Sequence, residues 1–273
     1  LLFGHGWIFL APNVPGESGL ERTLRLADGQ RVTVKIRYDD KIRVHGCSTV
    51  PLDISQRREV GLLCSRMLRL EDDLAEFHRR CEADATLRFV AAHRAGRLLR
   101  SPTVFEDVVK TICTTNCSWS NTKRMVAALC DLAGGVFPNA AELVQLGPDE
   151  IRRRTGAGYR AAYLCEFAAR VASGELDPEA WLHDPWSDDR VFQTLRTIKG
   201  VGPYAARHVL MLLSRYDQIP VDSEVKKWLQ RVHFRGRRVR ESRLLARYER
   251  FAPWQFLAYK FERIGLRDNY IDS

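Results

Sequence analysis

A change of hydrophobic period at Pro51 constrains this chain more than any other feature. Upstream, Val32, Val34, Ile36 and Tyr38 alternate with Arg31, Thr33, Lys35 and Arg37. That period of two marks a half-buried strand. Leu24 and Leu26 share one face of the preceding run, residues 20–26, and Asp28-Gly29 between the two runs is a hairpin turn. Asp39-Asp40 then turns the chain into a segment with Ile42 and Val44. Residues 7–46 therefore read as antiparallel strands with one wet face. Beyond Pro51 the period is helical. Leu62, Leu63, Met67, Leu70, Leu74 and Phe77 form one stripe. Further helices are predicted over 103–115, 120–133, 139–145, 148–154, 159–173, 188–198, 203–214, 223–232, 241–248 and 253–264. Ser101-Pro102, Gly147-Pro148-Asp149, Ser187-Asp188-Asp189 and Gly202-Pro203 supply start signals. Gly134-Gly135, Gly156 and Gly174 supply stops. The fold class is α+β, a small N-terminal antiparallel β domain (1–52) on a mostly helical body (53–273). That body holds a tight helical hairpin at 188–214 and an Asp-bearing loop at 215–223.

At 273 residues with 45% apolar composition, the chain buries enough surface to fold without a disulfide or metal staple. Its longest aliphatic run, 209–213, is too short for a membrane span. Residues 1–10 are apolar but lack Lys and Arg and are broken by Gly4, His5 and Gly6, a poor signal peptide. The leading Leu1 reads as a trimmed start. Seven cysteines, at 47, 64, 81, 113, 117, 130 and 165, form no CxxC pair. The expectation is a reducing compartment with no disulfide framework. Cys113 and Cys117 stand four apart on one predicted helical face. No His or second Cys pair supports them as metal ligands, so no metal site is expected.

The net charge of +9 is concentrated. Residues 226–250 carry ten basic and two acidic side chains, a net of +8, while the other 248 residues sum to +1. A cationic segment this localised attracts a polyanion, with nucleic acid as the default partner and a solvated basic helix face as the plain alternative.

The stretch 195–228 carries the chemistry. A helix leads into Lys199-Gly200-Val201-Gly202, and Pro203 opens the next helix. The two glycines allow close backbone approach, and Val201 fills the gap between helices. Free N–H groups at the start of that second helix sit at the positive end of its dipole. They can hold a phosphate oxygen without reading a base. An ordinary helix–turn–helix corner would look similar. The second helix buries Ala206, Val209, Leu210 and Leu213. The chain then runs through Ile219-Pro220-Val221 to Asp222, just before a helix bearing Lys226, Lys227 and Trp228. Asp222 suits an N-cap. It also suits a carboxylate held beside a DNA-binding hairpin.

Gly200-Val201-Gly202 followed by Pro220-Val221-Asp222 resembles the signature of the helix-hairpin-helix DNA glycosylases of base excision repair. Residues 101–116, ending Ile112-Cys113-Thr114-Thr115-Asn116, are similar to the strand-invading loop of the 8-oxoguanine branch, as is Gly158-Tyr159-Arg160-Ala161. Ala252-Pro253-Trp254-Gln255 with Ala258 is similar to the last core helix of the alkylpurine branch. The leading β domain resembles the cap of both. The resemblance spans residues 20–266, and the hairpin with its Asp is its specific part. Two departures stand out. Bifunctional members carry Lys at the second position after the hairpin, where this chain has Tyr204. Members with an iron–sulfur cluster carry four C-terminal cysteines, and here none follows Cys165.

The resemblance implies hydrolysis of an N-glycosidic bond after the damaged nucleotide is flipped out of the duplex. Asp222 is the expected catalytic residue, stabilising positive charge on the sugar. Asn116 and Cys117 are expected to enter the vacated stack or contact the orphaned base, unless they are merely a polar helix-end loop. Tyr204, Trp119 and Trp254 are candidate pocket aromatics, with core packing as their alternative. Lys199, Gly200, Val201, Gly202, Pro203, Lys226 and Lys227 are expected on the DNA backbone. No cofactor is expected apart from a monovalent or divalent cation at the hairpin carbonyls. The expected protein is a monomeric, monofunctional enzyme acting on duplex DNA with a damaged base, in a bacterial nucleoid or a eukaryotic nucleus. An alkylated purine such as 3-methyladenine is the expected base, 8-oxoguanine the runner-up. A catalytically silent DNA-binding module is a second hypothesis, against which Asp222 argues. A DNA-binding regulator is a third, but helix 223–232 starts without the Asn, Gln and Arg pattern for groove reading.

Overall fold

A computed structural model describes residues 6–17, 19–38, 41–183 and 187–267. The Asp39-Asp40 turn and residues 1–5 lie outside the described residues. Four strands, β1 (Val14–Gly16), β2 (Gly19–Arg25), β3 (Arg31–Tyr38) and β4 (Ile42–Cys47), precede a helical body. Its helices are α1 (Ile54–Leu68), α2 (Ala75–Glu82), α3 (Arg88–Ala92), α4 (Val104–Thr114), α5 (Trp119–Leu132) and α6 (Ala140–Thr155). They continue as α7 (Arg160–Ala172), α8 (Asp188–Arg196), α9 (Pro203–Leu212), α10 (Ser223–Phe234), α11 (Glu241–Leu245) and α12 (Gln255–Arg267). The fold is α+β. The chain divides into two compact units, one of Leu1–Glu71, Arg97–Pro185 and Thr197–Val201, the other of Asp72–Gly96, Trp186–Arg196 and Gly202–Ser273.

In the first unit the strands form an antiparallel meander in the order β1-β2-β3-β4. The Asp28-Gly29 turn closes β2 onto β3 in the register Leu24↔Val32 and Leu20↔Ile36. This puts Leu20, Leu24, Val32, Val34 and Ile36 on one face, buried with Val60, Cys64, Met67 and Leu68 of α1. Asp53 and Gln56 cap α1 reciprocally. Residues 7–9 form a 3₁₀ turn rather than a strand.

Helix α4 is buried from Val104 to Cys113, all but its last residue. Its polar side chains are therefore paired, as burial demands. Arg22 of β2 grips Glu106 with two bonds, 3.0 and 2.6 Å, and Lys110 reaches the same carboxylate at 2.6 Å. Burial alone would raise the Glu106 pKa, but the Arg22 and Lys110 charges bring it down to about 2. Asp107 accepts from the Trp7 indole at 2.7 Å and the Ser101 amide at 3.0 Å.

Several sequence expectations need correction. The stripe from Leu62 to Phe77 is not one helix. Helix α1 stops where Arg69 turns left-handed (φ 54°), and α2 begins after Leu74. Leu62 and Leu70 are 59% and 42% exposed. Helix α4 starts at Val104, one residue later than the expected 103, capped by the Thr103 hydroxyl, which accepts from the Glu106 amide at 3.2 Å. It ends at Thr114, so Cys117 lies beyond it and shares no helical face with buried Cys113. Helix α3 carried no signal strong enough to be read. Gly147 breaks α6 at φ 72°, as the separate expectations for 139–145 and 148–154 imply.

Candidate active site

The second unit holds Asp222, Tyr204 and the helices that position them. Gly202 caps α9 in an extended conformation, and Pro203 occupies its first turn, where the missing N–H costs nothing. The apolar side of α9 (Ala205, Ala206, Val209, Leu210) is buried. Tyr204 is thereby left 38% exposed on the other side. One turn on, His208 stacks on it, with ring centroids 6.2 Å apart and planes 24° from parallel. Burial, then the nearby Lys260 charge, lowers the His208 imidazole to about 4, so it is neutral at physiological pH.

Asp222 is the N-cap of α10. Its Oδ1 accepts from the Val225 amide at 2.8 Å, and its carbonyl accepts the first helical bond, from Lys226, at 3.0 Å. The capping reading of Asp222 is therefore observed. It occupies one carboxylate oxygen, and the other has no hydrogen-bond partner among the described residues. The loop before it is tied down at its start. Arg215 reaches Asp188 at 2.5 Å, and burial together with Asp188 pushes the Asp217 carboxyl up to about 6.

The Asp222 charge reaches Tyr204. Burial first, then the Asp222 charge, raises the phenol to about 12, with Arg263 acting in opposition. Arg263 donates to the Tyr259 hydroxyl at 3.0 Å, its guanidinium sits 6.0 Å from the Trp228 ring, and Trp228 meets Tyr259 edge-on at 5.6 Å. Tyr204, Asp222, Tyr259 and Arg263 are thus one electrostatic cluster built from α9, α10 and α12. His208, Tyr259, Lys260 and Arg263 were missed in the sequence. Their spacings, four from Tyr204 to His208 and four from Tyr259 to Arg263, were the available signal.

Trp254 is half-buried. Its ring meets Phe77 at 6.2 Å, and the Arg80 guanidinium lies over it at 5.4 Å. No ring contact joins it to Tyr204 among the described residues. Asn116, Cys117 and Trp119 belong to the first unit. Arg160, itself buried, pins the backbone there. Its Nε donates to the Thr115 carbonyl at 3.0 Å and its Nη2 to the Asn116 carbonyl at 3.0 Å. Asn116 sits left-handed (φ 46°) with its side chain exposed. Trp119, 40% exposed, lays part of its indole against Gly6.

In the hairpin, Gly200 is needed for a different reason than expected. At φ 85°, a Cβ there would fall 2.8 Å from Cδ2 of Tyr163, so the close neighbour is a ring and not a backbone. Gly202 has no such neighbour; the nearest atom, on Arg196, is 3.8 Å away. Val201 is buried. Lys199 pairs with Glu166 at 2.7 Å, Lys226 with Glu241 at 2.9 Å and Lys227 with Glu224 at 3.3 Å, all on the surface. In the basic segment, Arg231, Arg235, Arg237, Arg238 and Arg240 are exposed and pair with no carboxylate among the described residues. No group of three or more His, Cys, Asp or Glu is placed to hold a metal ion, and no helix is long and apolar enough to cross a membrane, among the described residues.

Residues 109–253, just over half the chain and including the Asn116 loop, the hairpin and Asp222, match the HhH-GPD superfamily of base excision DNA repair proteins. The chain belongs to that superfamily. This HhH-GPD protein is 26% identical to a DNA-3-methyladenine glycosylase of Bacillus subtilis over 184 residues, 63% of this chain and 60% of that protein. It is 27% identical to an N-glycosylase/DNA lyase of Saccharomyces cerevisiae over 46% of this chain and 39% of the yeast protein. It thus spans less than two thirds of either relative. Among solved structures, its fold is similar to a 3-methyladenine DNA-glycosylase of Archaeoglobus fulgidus (TM-score 0.73, 21% identity, 97% of this chain and 91% of that one). It is also similar to an 8-oxoguanine glycosylase/lyase of Clostridium acetobutylicum in complex with DNA (TM-score 0.67, 18% identity, 96% and 99%).

Proposed function

We propose that this HhH-GPD protein is a monofunctional DNA N-glycosylase that hydrolyses the bond between a flipped, damaged purine and its deoxyribose. The observation that carries this is Asp222, one of whose carboxylate oxygens caps α10 while the other has no hydrogen-bond partner among the described residues. Tyr204 stands where the family resemblance puts a lyase's amine. As the C–N bond breaks, its electron pair leaves with the base and positive charge develops on the sugar. The Asp222 oxygen not used by the cap faces that charge without giving up helix α10. Water adds to the sugar carbon, its proton leaves to solvent, and the departing base takes up a proton. Tyr204 is a wall for the base. Asn116 and Cys117, held by Arg160, enter the space the base vacates. Lys199 to Pro203, Lys226 and Lys227 bear on the backbone, with a cation at the hairpin carbonyls as an accessory. The protein acts as a monomer, on nucleoid or nuclear DNA.

An alkylated purine such as 3-methyladenine is the first reading of the base, because Tyr204 offers an exposed electron-rich ring. A specific observation favours the second reading, 8-oxoguanine. The Arg263 charge reaches Tyr204 and the Lys260 charge reaches His208, an environment that disfavours a cationic base. Base release from duplexes carrying one defined lesion each tests both. Release of either base as free base supports the function and selects the reading. Release from none of them contradicts it.

A further inference from the structure

An open groove of about 820 Å³ lies in the second unit, between α10, α12 and the segment after α11. Five cations line it: Arg231, Arg247, Lys260, Arg263 and Arg267. Neither Asp222 nor Tyr204 borders it. Among the described residues one acid, Glu262, faces the same groove, and it is already neutralised. Its Oε1 accepts from Arg247 at 2.8 and 3.1 Å, and its Oε2 accepts from the Tyr248 hydroxyl and lies 3.2 Å from His233. Arg231, Lys260 and Arg263 have no carboxylate within ion-pair distance among the described residues.

Among the described residues, positive charge therefore outweighs the one carboxylate that faces the groove. Burial, reinforced by the Arg263 and Arg267 charges, lowers the Lys260 ammonium to about 8. A fold keeps cations this close at a cost that an external anion relieves. The groove is too wide and too rich in donors for one carboxylate, whereas phosphate oxygens suit guanidinium forks and an ammonium together. Arg231 and Arg247 also belong to the exposed basic segment 226–250, so the groove continues that surface. From Asp222 to Arg231, α10 spans nine residues, about 14 Å at the helical rise. That is the length of a few nucleotides of backbone.

We propose that this groove, which shares Arg263 with the Asp222–Tyr204 cluster but is bordered by neither Asp222 nor Tyr204, binds phosphate groups of the DNA backbone beside the site, a second anchoring site in addition to the hairpin. The assignment rests on the protein being a DNA-acting enzyme.

The test is equilibrium binding of the full chain to a fluorescent duplex across a salt series, with Arg231→Gln and Lys260→Met measured separately. Arg231 is exposed, so its replacement leaves folding intact; a circular dichroism melt checks Lys260→Met. Each variant is expected to bind several-fold more weakly at low salt, with a log–log salt slope smaller by about 0.9 for every phosphate left without its cation. Inorganic pyrophosphate serves as the free-anion probe, read by Trp228 fluorescence with Trp228→Phe as control. Unchanged affinity and slope in both variants overturn the proposal. So does pyrophosphate quenching of Trp228 that the variants abolish while their DNA affinity stays at the wild-type value, which would assign the groove to a free anion. Base release by the wild-type protein is scored independently, so a groove that holds no phosphate is distinguished from a protein that is no glycosylase.

Discussion

Tyr204 stacks on His208 across one turn of α9, so a phenol is backed by a neutral imidazole at the position that the family resemblance assigns to the amine of the bifunctional members. A phenol forms no Schiff base. Lys199, Lys226 and Lys227 are each engaged in a surface ion pair. Borohydride is therefore expected to trap no enzyme–DNA adduct while base release proceeds. The amine to watch is Lys260, whose lowered pKa puts more of it in the nucleophilic form. A trapped band that disappears in Lys260→Met, or in a variant of any of the three paired lysines, would contradict the monofunctional assignment.

Arg160 holds the Thr115 and Asn116 carbonyls with a planar fork. Lysine keeps the charge but not the fork. Arg160→Lys should lose about 1–2 kcal/mol of loop ordering, as for a charged hydrogen bond. The amides of residues 115–117 should exchange faster, and single-turnover excision should slow by about tenfold. Wild-type exchange and excision in this variant would remove the loop from the mechanism.

Two groups, His208 and Glu106, withdraw stability in acid over separate pH ranges. His208 sits at about 4 in the fold against an ordinary 6.5, so the folded state binds fewer protons than the unfolded chain between those values. Its contribution is complete above pH 6.5 and is lost as pH falls toward 4, a change on the order of 3 kcal/mol. Glu106, at about 2 against an ordinary 4.5, contributes fully above pH 4.5 and fails only as pH falls toward 2. The raised Asp217 carboxyl acts in the opposite direction between about pH 6 and 4, so the difference between two proteins is what reads His208. In denaturant melts from pH 7 to 4, wild type minus His208→Gln should lose stability as pH falls; identical pH profiles in the two would contradict the neutral imidazole.

The fold was largely legible because its signals are local. Alternation in β3, the Asp28-Gly29 turn and the glycine stops act within a few residues. The break at Arg69 was not legible, because the apolar spacing of α1 runs on into α2 across a left-handed residue and no Gly or Pro marks the stop. The site divides the same way. Asp222 and Tyr204 lie within a short stretch of chain that also holds the glycine hairpin. Tyr259, Lys260 and Arg263 belong to a helix that lies near Tyr204 only through tertiary packing. The hairpin glycines read as sites of close backbone approach, whereas what crowds Gly200 is the ring of Tyr163, 37 residues upstream, and nothing among the described residues crowds Gly202.

Arg237 and Arg238 are exposed without a carboxylate partner among the described residues. Charge reversal of both should weaken lesion-bearing and undamaged duplexes alike and lower the salt slope by about 0.9 for every phosphate that these side chains neutralise. Competition binding at two salt concentrations measures this. Affinity that does not respond to salt would make the segment an idle surface.

The central claim is that the Asp222 charge drives bond cleavage while its cap merely holds α10. Asp222→Asn keeps the cap on Val225 and removes the charge. The decisive measurement is single-turnover base release at saturating enzyme, comparing this variant with the wild type on the lesion duplex that the wild type processes best. Release should fall by about two orders of magnitude or more, with DNA binding retained or tightened. Excision at the wild-type rate by Asp222→Asn would contradict the claim.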